Sequence, residues 1–249
     1  QAEDGIRDLV RSRGLGDVYK RQELNNTMKT KFFLFIISFT FSFSMYSQNN
    51  NFEVQKSIYE KAKSYNDPNV AISALYNMVA LQPDNVLLKD SLMREYLAIS
   101  QWAPSYMISR EILGIQPNNN FALEVSCVSL QNLGLKQEAL NEYESLYLKT
   151  DRIDVLYTIS FLQFELRNFN ESLTNLDILI SNNQTEEMTV SVSKDENTRQ
   201  EIAIRAQLNY LKGLIYIEQE NNLLAKQAFN TAIEIAPEFQ NAISKLKTL

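Results

Sequence analysis

The chain repeats itself at a fixed distance, and this periodicity constrains its fold more than any other feature. Pro83 and Pro117 stand 34 positions apart and Asp151 lies 34 further on, inside the related segments NMVALQPDN, REILGIQPNN and ESLYLKTDR. Ala71, Ser105 and Ala139 keep the same interval upstream. Each small residue opens an apolar run, as in Ala71, Leu75 and Met78 or in Ala139, Tyr143 and Leu146. Steps of three and four place such residues on one face of a helix. Self-similarity at this period is the mark of an array of repeats.

The fullest unit lies near the C-terminus, GLIYIEQENNLLAKQAFNTAIEIAP, with Gly213, Tyr216, Ala225, Phe229, Ala232 and Pro237 in order. It resembles the tetratricopeptide repeat, which carries Gly and Tyr on a first helix, Ala and Phe on a second, and a closing Pro. Small side chains at Gly213 and Ala225 would let two helices approach closely, with Tyr216 and Phe229 filling the space between hairpins. Pro237 would stop the second helix, because proline lacks an N–H and disfavours helix just before it. All five prolines fall near an expected helix boundary. The resemblance implies an all-α fold, a right-handed α-solenoid of about five such hairpins at 52–85, 86–119, 120–153, 153–186 and 206–239. The fourth unit departs most, with Ser172 in place of Ala and no closing Pro. Phe239 to Leu249 is expected to cap the array, with Phe239, Ile243 and Leu246 on one apolar face. Residues 182–200, NNQTEEMTVSVSKDENTRQ, break the register and are polar apart from Met188, Val190 and Val192. They are expected to be an insertion, read from composition as a flexible loop, with a binding element as the alternative.

In the resembled family the first helices line a concave groove that binds peptides or helices of partner proteins. Carried over by register, that groove would present Phe121, Tyr157, Phe161, Phe164, Tyr210, Leu214 and Ile217. Asp90, Arg94, Leu97, Glu124, Val128 and Gln131 also fall on it, and the first repeat offers Glu53, Lys56, Glu60 and Lys63. Aromatic clusters in a concavity serve as binding anchors. The other reading is that they pack beneath the insertion or against neighbouring helices. Some relatives clamp a terminal carboxylate with Lys and Asn. Here Lys56 is followed by Glu60 where the Asn would stand, so that activity is not expected.

Composition removes most catalytic chemistry. The chain has no histidine and one cysteine, which excludes Ser-His-Asp, Cys-His and His-based metal sites. Cys127 sits where a small packing residue is usual, so it reads as a buried hydrophobe. No catalytic residue, metal or cofactor is expected, and the partner is expected to be a protein or peptide. Residues 1–48 hold seven Lys or Arg and five Asp or Glu, which leaves 17 basic and 25 acidic residues, a net charge of −8. Such a balance does not suit nucleic acid. A carboxylate-based periplasmic hydrolase and a membrane-tethered envelope organiser are the alternative readings.

The N-terminal part reads separately. Residues 28–48 carry Lys29 and Lys31, then the uncharged apolar run Phe32 to Tyr46, then Ser47 as a small residue for cleavage. That is the layout of a signal peptide, shorter than the roughly 20 apolar residues of a membrane span. An exported, periplasmic protein without stable membrane insertion is the expectation. Residues 1–27 are read as a non-native leader. QAEDGIRD and SRGLGDVYKRQ match translated sequencing-library adapters, followed by upstream read-through. The helical repeat domain is then expected over 49–249, with its insertion at about 182–200.

Overall fold

The computed structural model describes residues 51–194 and 198–249, so the expected leader and signal segment lie outside the described part. The helices are α1 (51–64), α2 (Pro68–Leu81), α3 (Val86–Ala98), α4 (Trp102–Ile115), α5 (Asn120–Asn132) and α6 (Lys136–Thr150). They continue with α7 (Ile153–Glu165), α8 (Phe169–Ser181), α9 (Ile204–Glu218), α10 (Asn222–Ile235) and α11 (Gln240–Lys247). Contacts divide the chain into two units, Gln1–Asp84 and Asn85–Leu249.

Helices start where a side chain can hold the exposed amides of a first turn. Asp67 accepts from the Val70 amide (3.2 Å) ahead of α2, whose first position is Pro68. Asn85 accepts from Leu87 and Leu88 at 3.1 and 3.3 Å ahead of α3. Asn119 takes the Ala122 amide (3.0 Å) and Asn221 the Leu224 amide (3.1 Å). Trp102 is the first residue of α4, whose preceding residue Gln101 makes no side-chain cap.

Each first helix passes to the second through the same turn. Asn66, Ser100, Gly134, Arg167 and Glu220 all have positive φ, from 54° to 78°. The residue after each donates its amide to a carbonyl five positions back: Asp67 to Ala62, Gln101 to Tyr96, Leu135 to Leu130, Asn168 to Gln163 and Asn221 to Tyr216, at 2.8–3.0 Å. The left-handed residue donates to the carbonyl three back, as Ser100 does to Leu97 (3.0 Å). This is the Schellman closure, which satisfies the last carbonyls of a helix.

The second unit is an all-α solenoid in which α3 to α11 pack in succession, each mainly on its neighbours in the chain. Leu146, Leu162, Leu176 and Leu179 are fully enclosed between hairpins, each burial contributing roughly 1.5–3 kcal/mol. In the fifth hairpin Gly213 faces the Phe229 ring so closely that a Cβ there would lie 2.5 Å from Phe229 Cε1. Ser172, the departure in the fourth, is fully buried and donates Oγ to the Ser160 carbonyl at 2.7 Å. A hydroxyl thus fits the tight helix contact because its proton has an acceptor. At the end of the chain, Phe239 and Ala242 are fully buried and Leu246 packs against the same cluster.

The insertion corrects the loop expectation. After a 3-10 turn at Asn183–Thr185, the strands β1 (Thr189–Ser193) and β2 (Arg199–Ala203) form an antiparallel hairpin, with Val190 opposite Ile202 and Val192 opposite Gln200. Alternate residues point inward. Val192 and Ile202 are buried, whereas Thr189, Ser193, Arg199 and Glu201 are exposed. Period-two alternation with β-branched residues, here MTVSV, suits a half-buried strand.

Candidate partner-binding site

Of the groove residues expected from register, Glu53, Lys56, Glu60 and Lys63 lie on α1 in the first unit, and the others lie on α3, α5, α7 and α9 in the second. On the N-terminal side, Arg94 is held by Asp90 at 2.7 Å, and its guanidinium lies over the Phe121 ring at 3.8 Å. That contact joins α3 to α5 and leaves Phe121 half-buried. Cation and aromatic face attract through the ring quadrupole.

Arg152 next gathers two carboxylates. It binds Glu124 of α5 in bidentate fashion (2.7 and 3.2 Å) and Asp154 of α7 at 2.5 and 3.1 Å. The Arg152 guanidinium lowers the Asp154 carboxyl below its ordinary value. One guanidinium thus holds both acids in place. Gln131 accepts the Tyr143 hydroxyl (2.9 Å), whose proton burial makes harder to lose.

On α7, Tyr157, Phe161 and Phe164 are all half-buried and pack over the cluster of Ile153, Leu156, Leu176 and Leu208. Phe161 and Phe164 are tilted rings 6.4 Å apart, and Phe164 meets Phe169 at 6.3 Å. Burial raises the Tyr157 phenol above its ordinary value, and a hydrogen bond from Gln207 of α9 opposes that shift. Met188 and Val190 of the insertion pack against the same cluster.

The α9 residues serve a different environment. Tyr210 packs as a tilted ring 5.6 Å from Phe229 and 5.0 Å from Phe239, both fully buried. Leu214 borders both apolar clusters together with Val190, and Ile217 packs into the C-terminal one. The structure thus joins Phe121 to Arg94, and Tyr157, Phe161 and Phe164 into a second group. It turns Tyr210 toward internal packing. The contribution of Arg152 was not foreseen, although its place beside the Asp151 register position was visible. Cys127 is fully buried, and burial together with Glu142 pushes its thiol up.

Among the described residues, no group of three or more His, Cys, Asp or Glu could hold a metal. No described helix is long and apolar enough to cross a membrane. A cavity of about 550 Å³, with no lining residue from α3, α5 or α7, lies between β2 and the α10–α11 corner.

A family model for the tetratricopeptide repeat matches residues 206–239. No curated protein matches the chain by sequence. Among solved structures, MamA is 14% identical with a TM-score of 0.58, covering 76% of this chain and 94% of its own. YrrB, described as a tetratricopeptide-repeat protein with an unusual peptide-binding site, is 14% identical with a TM-score of 0.59, over 77% and 89% of the two chains. A tetratricopeptide-repeat protein from Parabacteroides merdae is 15% identical with a TM-score of 0.59, over 80% and 72%. At these identities the likeness is one of fold.

Proposed function

We propose that this chain, which shares the tetratricopeptide-repeat fold and matches that repeat over residues 206–239, is a non-catalytic scaffold binding a partner protein or peptide on the first-helix face of its second unit, between Arg94 and Phe164. The observation that carries this reading is the row of half-buried aromatics, Phe121, Phe161 and Phe164, with the Arg94 guanidinium over one of them. Aromatic rings and Arg are the side chains most enriched at binding hot spots. The peptide-binding site described for YrrB supports the same use of the fold. A carboxylate hydrolase needs one acid held protonated, but the acids on this face are paired with guanidinium groups, Asp90 with Arg94 and both Glu124 and Asp154 with Arg152, and the shift of Asp154 is downward.

The test is selection from a displayed random-peptide library on the full chain. The expected result is saturable peptides whose binding falls about tenfold or more with Phe161→Ala or Arg94→Ala. Leu148→Ala, at an 86% exposed position of α6, should have no effect. No selected peptide, or equal loss in all three variants, refutes the reading.

The proposal includes export to the periplasm directed by residues 28–48, with cleavage of that segment. Intact mass after expression in a Gram-negative host tests it. Retention of Phe32–Tyr46 would favour the tethered organiser instead.

A further inference from the structure

The inserted hairpin has two outer edges, and they are unlike. Ile204 donates its amide to the Met188 carbonyl (2.8 Å) and Lys194 donates to Thr198 (2.9 Å). Alternation of the antiparallel ladder then points the N–H and C=O of Arg199 and Glu201, and the N–H of Ala203, away from β1. On β1 two of the outward carbonyls are occupied. Ser191 accepts from Arg199 Nη2 and Ser193 from Asn241 Nδ2, both at 2.9 Å. Among the described residues no hydrogen bond reaches the outward groups of Glu201. The cavity of about 550 Å³ is lined by four successive β2 residues, Gln200 to Ala203. Successive residues face opposite sides of a strand, so such a cavity follows the strand's edge. Its far wall is Ala236–Gln240, and Lys194 contributes at the hairpin tip. The volume lies within the range of ligand pockets.

We infer that the open edge of β2 is a docking site for an extended peptide segment, which adds antiparallel as a third strand. Main-chain hydrogen bonds would hold it, as in strand addition generally. Register defines its side chains. The residue opposite Glu201 shares the outer face with that carboxylate and is basic, and the residue opposite Arg199 is acidic, since directly opposed unlike charges stabilise a pair. The residues between them, opposite Ile202 and Gln200, turn to the inner face toward Ala236 and Pro237 and are apolar, the second lying beside the Gln200 side chain that donates to the Glu238 carbonyl at 3.4 Å. This site is separate from the aromatic face and does not depend on it.

The probe is a fluorescein-labelled, C-terminally amidated peptide Ala-Val-Lys-Val-Glu, titrated into the full chain and read by anisotropy. Its Lys amide faces the Glu201 carbonyl, whereas its two Val amides face away. N-methylation at Lys should weaken binding about tenfold or more, the equivalent of one lost hydrogen bond. N-methylation at either Val should be tolerated. Exchanging Lys and Glu in the peptide should also weaken binding, and Phe161→Ala in the protein should not. Absence of saturable binding overturns the inference. So does equal sensitivity to the three N-methylations, or loss of binding in Phe161→Ala, which would place the peptide on the aromatic face.

Discussion

Gly213→Ala tests the helix contact inside the fifth hairpin. An alanine Cβ would lie 2.5 Å from Phe229 Cε1 and 2.7 Å from both Cδ1 and Cζ. Carbon atoms pack at about 3.5–4.0 Å, so the ring would have to retreat by roughly 1 Å. It has nowhere to go. Phe229 is fully buried, the tilted Tyr210 ring packs on it at 5.6 Å, and Phe239 backs Tyr210 at 5.0 Å. Overpacking costs about 1–3 kcal/mol, and three ring atoms in conflict put this site near the top of that range. Against it stands about 1 kcal/mol gained by replacing Gly with Ala inside a helix. The net expectation is destabilisation by about 2 kcal/mol. In a Phe229→Leu background the ring is gone, only the propensity gain remains, and the same substitution should stabilise. The coupling energy between the two sites is therefore about 3 kcal/mol. Urea unfolding followed by helical circular dichroism gives the global values. Hydrogen exchange of α9 and α10 amides gives the local ones, because repeat arrays can open unit by unit. If Gly213→Ala stabilises the otherwise natural chain, or acts equally in both backgrounds, the close-approach argument is wrong.

Ser100→Gly should stabilise by roughly 0.5–1 kcal/mol, because a serine at φ 57° bears a left-handed penalty that glycine does not, less the extra freedom of glycine in the unfolded chain. A raised urea midpoint at unchanged slope is the readout, and a lowered midpoint contradicts it. Asp154→Asn should lower stability at neutral pH by under about 1 kcal/mol, since the pair with Arg152 is partly exposed. The folded carboxyl lies below its ordinary value, so its contribution is present above about pH 4 and fades as pH falls through the depressed value. The gap between the two proteins should close in acid, and a gap that widens there refutes the assignment.

The period and the helix faces were legible because packing recurs every 34 residues and leaves the same small and apolar residues in place. The turns were not. Six described positions have a left-handed backbone, yet only Gly134 and Asn66 are residues that favour it at a helix end, while Ser100, Asp151, Arg167 and Glu220 are set by register alone. The hairpin left a faint signal in Met188, Val190 and Val192, one residue in two, which an average over a polar segment conceals. Arg94 and Phe121 both lay on the expected groove, but their contact joins helices 27 positions apart, and no local pattern records it. Tyr210 shares the register of the groove, but Phe229 and Phe239 offer its ring a closer apolar surface.

The insertion accounts for why the expected groove divides as it does. An array of equal repeats would present the same face on α3, α5, α7 and α9. The inner side of the hairpin is apolar, and burying it requires apolar surface. Val190 and Leu214 belong to both C-terminal clusters, so the hairpin is seated where the α7 and α9 clusters meet. That use of α9 leaves the side-chain surface on α3, α5 and α7 for the proposed partner. Seating the inner face of the hairpin leaves its backbone edge outward, and an edge recognises main chain where a helix face recognises side chains. One inserted strand pair thus turns a repeated surface into two chemically different ones, the aromatic face ending near Phe164 and the strand edge beginning at Arg199.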